Sequence, residues 1–327
     1  MPKTKIIVDM GTSNVSIFYK SLVLKEPNVA LIRRKNGVEP IAFGNEALNL
    51  VGSADEYCSF INPVSDGVIV NAEVAGFILS HYLKKVLRGN PLRTVEIIAV
   101  IPCGLSVAER ENIENAFYRA GYKEVALIES VLGLLPFVDG KGSAVMVIGG
   151  GTTEFAVLKD GAILSACSLN IGGKEVDKRI KEKVLDIYNI VISEYAAERL
   201  KKEIGSLYDN NTASYEIAGR GVLDQALHRE EITAESIKAP ISFCYKKIID
   251  VAESLFTTLP SSAVSEVISR GLYLAGGGAA MQGLEDFINK YLHISATIDA
   301  EPETTVLRGI NELIESGKLH HILNFKK

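Results

Sequence analysis

Apolar and polar positions change period many times along the chain. Ile6–Tyr19, IIVDMGTSNVSIFY, reads as a buried strand, a Gly/Thr/Ser turn and a second strand. Ala144–Leu158, AVMVIGGGTTEFAVL, repeats the plan in the second half. Shorter strand patterns occupy VEIIAVI (95–101), EVALIE (124–129) and GLYLA (271–275). Helical patterns alternate with them. Asn71 precedes AEVAGFILSHYLKKVLR, whose last turn is basic; Ser106 and Glu109 form a capping box for the next helix, which Gly121 stops. SVLGLLPFV (130–138) predicts a short apolar helix. KEVDKRIKEKVLDIY, a helix from Ser193, and ETTVLRGINELIESG predict three more. Thr233 caps a helix expected to reach Thr258, with Pro240 expected to kink it or move its start. Asn36-Gly37 and Asp160-Gly161 predict tight hairpins, and Asp139–Gly142 a linker between halves. The polar segment 208–233 predicts a small excursion off the core.

This alternation implies an α/β fold. The repeated strand–turn–strand unit implies a duplicated domain with a cleft between its copies, a common place for a ligand. The bulk properties narrow the function. A net charge of −5 without a long Lys/Arg run argues against nucleic acid. No apolar run approaches the roughly 18 residues of a membrane span, and MPKTKIIVD has no signal-peptide core, so a cytoplasmic protein is expected. Cys58, Cys103, Cys167 and Cys244 lie far apart and without nearby histidines, so buried free thiols are expected rather than zinc or disulfides.

Glycine turns after buried strands suit phosphates, because consecutive N–H groups can converge on an anion at close approach. A carboxylate in such a turn becomes useful once magnesium is present, since that ion binds phosphate oxygens alongside one or two carboxylates. Asp9 beside Gly11-Thr12-Ser13-Asn14 fits that role. Either turn alone is more often a plain hairpin, and LAGGG (274–278) alone a tight strand-to-helix turn. Three in order are more specific. Neither GxxxxGK[ST] nor GxGxxG is present.

On these motifs the chain resembles the actin/heat-shock-chaperone/sugar-kinase ATPase superfamily, and within it the MreB family of bacterial actins. DMGTSN is similar to the phosphate-1 loop, IGGGTTE to the phosphate-2 loop, and LAGGGAAMQGLEDFI to the adenosine loop. INPVSDGVI (61–69), IPCGLSVAER (101–110), ALIES (126–130), IGGKEVDKRI (171–180) and AAERLKKEIG (196–205) also resemble family segments. The likeness covers nearly the whole chain and is weakest in 206–232. It implies an actin-like fold of two related domains, each a mixed sheet with flanking helices, around an interdomain nucleotide cleft. The implied subdomains are IA (1–31, 65–140 and 306–327), IB (32–64), IIA (141–178 and 240–305) and IIB (179–239). ATP or ADP and Mg2+ are the implied ligands. Asp9, Gly11, Thr12, Ser13 and Asn14 would face the β/γ-phosphates, with Asp9 holding magnesium through water. Gly149, Gly150, Gly151 and Thr152 would line the other phosphate side. Glu198 and Lys201 would reach ribose and adenine, and Gly276, Gly277 and Gly278 would let the backbone pass close to the adenosine. Without the resemblance, Glu198 and Lys201 read as a solvated pair of little weight.

The chain departs from the family where water would be activated. Val147 stands where an aspartate is usual, and Ser130 replaces the second acidic residue after Ile128. Valine neither ligates metal nor accepts a proton, and serine is a poor general base without a partner. Glu129 is a candidate substitute only if its strand end shifts by one residue. Lys174 replaces a usual acid after IGG; a solvated helix-start lysine is the plain reading, phosphate contact the sharper one. The implied function is an ATP-binding, filament-forming cytoskeletal protein of cell shape with weak or absent hydrolysis. The alternatives are an active polymerising ATPase and a non-polymerising nucleotide-dependent interaction module; a small-molecule kinase lacks a substrate-activating acid. Self-association and paralogous actin-like subunits are the implied partners. Any membrane contact through RGNPLRTV (88–95) rests on Leu92 alone, worth at most about 3 kcal/mol of burial, and so is expected to be weak or partner-mediated.

Overall fold

A computed structural model describes residues 4–35, 37–51, 55–87, 95–139 and 141–321. Leu92, Asn36 and Gly140, on which three of the readings above depend, lie outside them. The chain divides into two compact units, Met1–Phe137 with Thr304–Lys327, and Val138–Glu303.

In the first unit, β1 (Thr4–Met10), β2 (Asn14–Tyr19) and β3 (Ser21–Pro27) form an antiparallel meander. A small sheet follows, built by β4 (Ala30–Arg33), β5 (Glu39–Phe43) and β6 (Cys58–Ile61), with α1 (Gly44–Asn49) between the last two. The two-residue strands β7 (Val64–Ser65) and β8 (Val68–Ile69) make a tight hairpin. Then come α2 (Ala72–Leu87), β9 (Val95–Ile101), α3 (Val107–Arg119) and β10 (Val125–Glu129). The apolar helix expected after β10 is a 3-10 helix, Ser130–Phe137. The main sheet runs β10-β9-β1-β2-β3. Helix α2 forms because Val74, Ala75, Ile78, Leu79, Tyr82 and Leu83 fall on one buried stripe, while Asn71 Oδ1 accepts from the Val74 N–H at its start. Each large aliphatic in that stripe contributes about 1.5–3 kcal/mol. The predicted capping box on α3 forms in both directions.

The second unit repeats the plan. β11 (Lys141–Ile148), β12 (Thr153–Lys159) and β13 (Ala162–Leu169) form the meander, joined by the expected Asp160-Gly161 turn with both residues at positive φ. After α4 (Gly173–Tyr188), β14 (Ile190–Val191) and α5 (Glu194–Ile204), the polar excursion is a hairpin of β15 (Ser214–Gly221) and β16 (Leu227–Thr233) paired with β14. Helix α6 (Ala234–Thr258) begins directly after its Thr233 cap, so Pro240 does not move its start. A helix the periodicity did not predict, α7 (Ser261–Arg270), precedes β17 (Leu272–Ala275); α8 (Leu284–Leu292) and β18 (Ala296–Ile298) follow. The chain then returns to the first unit as α9 (Thr305–Glu315), which packs on the 3-10 helix.

The second main sheet runs β13-β12-β11-β17-β18. It has the first sheet's topology, an antiparallel meander whose first strand carries two further parallel strands. The duplication inferred from two short motifs thus extends through both sheets. Cys103 and Cys244 are buried, Cys58 and Cys167 half-buried, and all four are free thiols. Among the described residues no helix is long and apolar enough to cross a membrane.

Candidate functional site: three glycine turns

The first turn closes between β1 and β2, where the Gly11 N–H donates to the Asn14 carbonyl at 2.9 Å. Its three remaining carbonyls are held from elsewhere in the first unit. Asn28 Nδ2 donates to Gly11 O at 2.8 Å and the Asn28 N–H to Ser13 O at 2.9 Å. Asn62 Nδ2 donates to Thr12 O at 2.7 Å, and the Gly67 N–H to Thr12 Oγ1 at 3.2 Å. Neither asparagine was named as a site residue from the sequence, although Asn62 lies in the family-like segment INPVSDGVI. They stand 17 and 50 positions from the carbonyls they hold, and no local pattern joins them to the turn. Asp9, in register with Ser16, is half-buried, and burial pushes its carboxyl up to about 6.

In the second unit the Gly149 N–H donates to Thr152 O at 2.8 Å, closing the equivalent turn. Here the start of α4 holds the carbonyls: the Gly173 N–H donates to Gly149 O at 3.0 Å and the Lys174 N–H to Gly150 O at 2.8 Å. Two amides that a helix N-terminus leaves without intrahelical acceptors are thereby satisfied. A Cβ on Gly172 would stand 2.6 Å from Gly149 O and 2.7 Å from Gly150 O, so only glycine fits there. Gly151, Thr152 and Thr153 are buried, and Thr153 Oγ1 donates to Ile171 O at 2.7 Å.

Val147 is buried in β11 opposite Glu154 and beside Ala275 of β17. The third turn therefore starts on the parallel neighbour of the strand that leads into the second. Gly276 has φ 86° and donates its N–H to Pro302 O at 2.7 Å, while Gly278 O accepts from the Tyr245 hydroxyl at 2.6 Å. A Cβ at Gly277 would lie 3.4 Å from Glu303 Oε1. A cavity of about 340 Å³ adjoins this turn, lined among others by Tyr208, Met281, Gln282 and Asp299; its lining includes none of the predicted site residues.

The pair that helical spacing alone suggests for Glu198 and Lys201 is not formed. Lys201 Nζ lies 2.8 Å from Asp177 Oδ1 and donates to Gly173 O at 3.0 Å, with 15% of its side chain exposed. Lys201 is thus a nearly buried cation next to the second turn. Burial raises the Asp177 carboxyl, and the Lys201 charge opposes that rise. Glu198 pairs instead with Lys202 at 2.8 Å. Burial works against its charged form, but the Lys202 hydrogen bond and the surrounding lysines outweigh it, so its carboxyl lies below the usual range. The Lys174 ammonium lies 3.9 Å from Glu194.

At the end of β10, Ser130 is buried, and Glu129 is 2.5 Å from an Arg110 guanidinium nitrogen. β10 keeps its register on β9, with Glu129 opposite Ile101, so no one-residue shift brings Glu129 to the position of Ser130. Among the described residues no group of three or more His, Cys, Asp or Glu side chains could hold a metal ion. Asp9 fits a hydrated cation, being a desolvated carboxylate beside a turn; Val147 supplies no donor to one.

The family model for the MreB/Mbl protein matches residues 3–321. The cell shape-determining protein MreB of Escherichia coli K12 is 31% identical over 330 residues, covering 96% of this chain and 94% of that protein. The cell shape-determining protein Mbl of Bacillus cereus is 28% identical, covering 94% and 95%. Among solved structures, MreB5 of Spiroplasma citri bound to AMPPNP superposes with a TM-score of 0.89 at 25% identity, covering 98% of both chains. A MamK double helical filament matches in fold with a TM-score of 0.78 at 20% identity. With the family model spanning nearly every residue and the duplicated sheets matching an MreB structure, the chain belongs to the MreB/Mbl family and has its actin-like fold.

Proposed function

We propose that the chain is a nucleotide-binding, filament-forming cytoskeletal protein of cell shape that hydrolyses ATP slowly or not at all. The observation that carries this reading is the pair of phosphate turns whose carbonyls are tied back. In a trans peptide the C=O and the following N–H point in opposite directions. Holding Gly11 O and Thr12 O therefore turns the Thr12 and Ser13 amides outward, and holding Gly149 O and Gly150 O does the same for Gly150 and Gly151. These amides bind phosphate oxygens without reorganising. The MreB5 structures with AMPPNP and ADP support a nucleotide in that role. Glu198, Lys201 and Gly276–Gly278 take the adenosine end, and the four-subdomain division inferred from the sequence is retained.

Magnesium, when bound, would neutralise phosphate charge, and Asp9 would hold it through water. The positions that would activate the attacking water supply no free acid: Ser130 is neutral, Val147 is apolar, and Glu129 is held by Arg110. Each missing part of such a site costs on the order of 10²–10³ in rate, whereas the amide cradles that bind nucleotide remain. Nucleotide then acts by favouring a polymer-competent conformation. Self-association extends to paralogous actin-like subunits, and any attachment to the inner face of the membrane is weak or partner-mediated.

Phosphate release and sedimentation of the purified chain with ATP, ADP and no nucleotide test this. Nucleotide-dependent pelleting with little phosphate release is expected. Rapid turnover would overturn the hydrolysis reading, and failure to pellet across magnesium and salt would overturn the filament reading.

A further inference from the structure

We infer that Asn28 and Asn62 are positioning residues for phosphate binding, acting through the Gly11–Ser13 backbone rather than on the nucleotide. The inference rests on the proposal that this turn binds phosphate. Three consecutive carbonyls of the turn each accept from a fixed donor, and two of the three donors are asparagine side-chain amides. Gly11, which has no Cβ, gives the backbone at the start of this turn freedom that other residues lack, so its peptide planes can tilt unless they are held. A flipped plane would present a carbonyl oxygen to the phosphate in place of an N–H. The ties are what exclude that state.

Both donors are themselves immobilised. Asn28 is 1% exposed, and its own backbone N–H holds Ser13 O, so one residue spans two peptide planes of the turn. Its Oδ1 makes no hydrogen bond in the structure, although it is buried. A buried polar side chain kept at that cost is better explained by the Nδ2 bond to Gly11 O than by packing. Asn62 is exposed, but its Oδ1 accepts from the Val64 N–H at 3.0 Å, which fixes the amide so that Nδ2 faces Thr12 O. The Gly67 N–H on Thr12 Oγ1 comes from the same short hairpin, so the hydroxyl accepts from the protein and keeps its proton for a ligand. The hairpin β7–β8 thus acts as a backing plate for the turn.

The test is binding of adenosine, ADP and ATP, measured by titration calorimetry, to the full chain and to Asn62→Ser and Asn28→Ala. Serine still caps the Val64 N–H but is too short to reach Thr12 O. Each substitution is expected to weaken ATP and ADP by about 10-fold or more, since a charge-assisted hydrogen bond to the phosphate loses its orientation, while adenosine affinity stays within about twofold. A merely structural role would weaken all three ligands together, and that result overturns the inference. Unchanged ATP affinity in folded Asn62→Ser overturns it as well. Should Asn28→Ala fail to fold, Asn62→Ser decides alone. If neither adenosine nor ATP binds the unsubstituted chain, the nucleotide reading itself falls and this inference with it.

Discussion

The two Gly/Thr turns close with the same hydrogen bond, Gly11 N–H to Asn14 O and Gly149 N–H to Thr152 O, yet they are held in opposite ways. Side chains brought from 17 and 50 residues away do most of the holding of the first. The main chain of α4 holds the second, and the close approach admits only glycine at 172. Their electrostatics are opposed as well. The first carries a half-buried carboxylate, Asp9; the second has the cation Lys201 beside it and an apolar side chain, Val147, where Asp9 has its counterpart. Duplication preserved the shape of the cradle but not how it is supported or charged. The first turn is therefore open to change residue by residue, while the second can be disturbed only through sterics or through its lysine.

Lys201 is the place to break the second turn hardest. Lys201→Met leaves Asp177, whose side chain is 3% exposed, without its cation. Breaking such a pair costs about 3–5 kcal/mol. The Asp177 carboxyl is already raised by burial and would rise further once the opposing charge is gone. A raised folded value favours the protonated fold, so stability is retained below the unfolded carboxylate range and lost as pH rises through the raised value. Denaturant unfolding should show a deficit that is smallest in acid and grows as pH rises above the ordinary carboxylate range. A pH-independent deficit would mean that Lys201 stabilises through packing alone.

The asymmetry at Val147 is sharpened by restoring both acids. Val147→Asp with Ser130→Glu is expected to raise phosphate release by about 100-fold in magnesium. Residues directly opposite in an antiparallel pair share a face, so the new aspartate would stand beside Glu154. The double variant should therefore be less stable than the unsubstituted chain when magnesium is absent, and should regain stability when it is added. Nucleotide binding without any gain in release would remove Val147 and Ser130 from the proposed account of slow hydrolysis.

What the sequence made legible was what is local. The strand–turn–strand units, the Ser106/Glu109 box and the Asp160-Gly161 turn depend on residues a few positions apart, and all appear in the structure. Helix α7 escaped because it is short and its N-cap, Pro260, offers no side-chain cap to mark the start. The supports of the candidate site were hidden for a different reason. Asn28, Asn62 and Asp177 act through tertiary contacts, and an asparagine in a loop looks the same whether or not it holds a carbonyl. Glu198 and Lys201 show the converse error: helical spacing suggests that they meet, but each finds a stronger partner, Lys202 for one and Asp177 for the other.

The smallest effect tests the charge on the first turn. Burial moves the Asp9 carboxyl from an ordinary 3.8 to about 6, so without a ligand its ionised form opposes folding. The sign follows from the raised value: stability contributed by the protonated form is fully present below about pH 4 and is lost as pH rises through about 6. Asp9→Asn removes the penalty. The shift corresponds to at most about 3 kcal/mol, and partial exposure of Asp9 lowers the expected gain at pH 8 to about 1 kcal/mol. Melting curves of both proteins from pH 4 to 8 should diverge as pH rises. Magnesium with nucleotide should then stabilise the unsubstituted chain more than the variant, because a cation turns the same carboxylate from a burden into a ligand. If magnesium and nucleotide stabilise both proteins equally, Asp9 does not face the cation, and the two turns differ in their support but not in their charge.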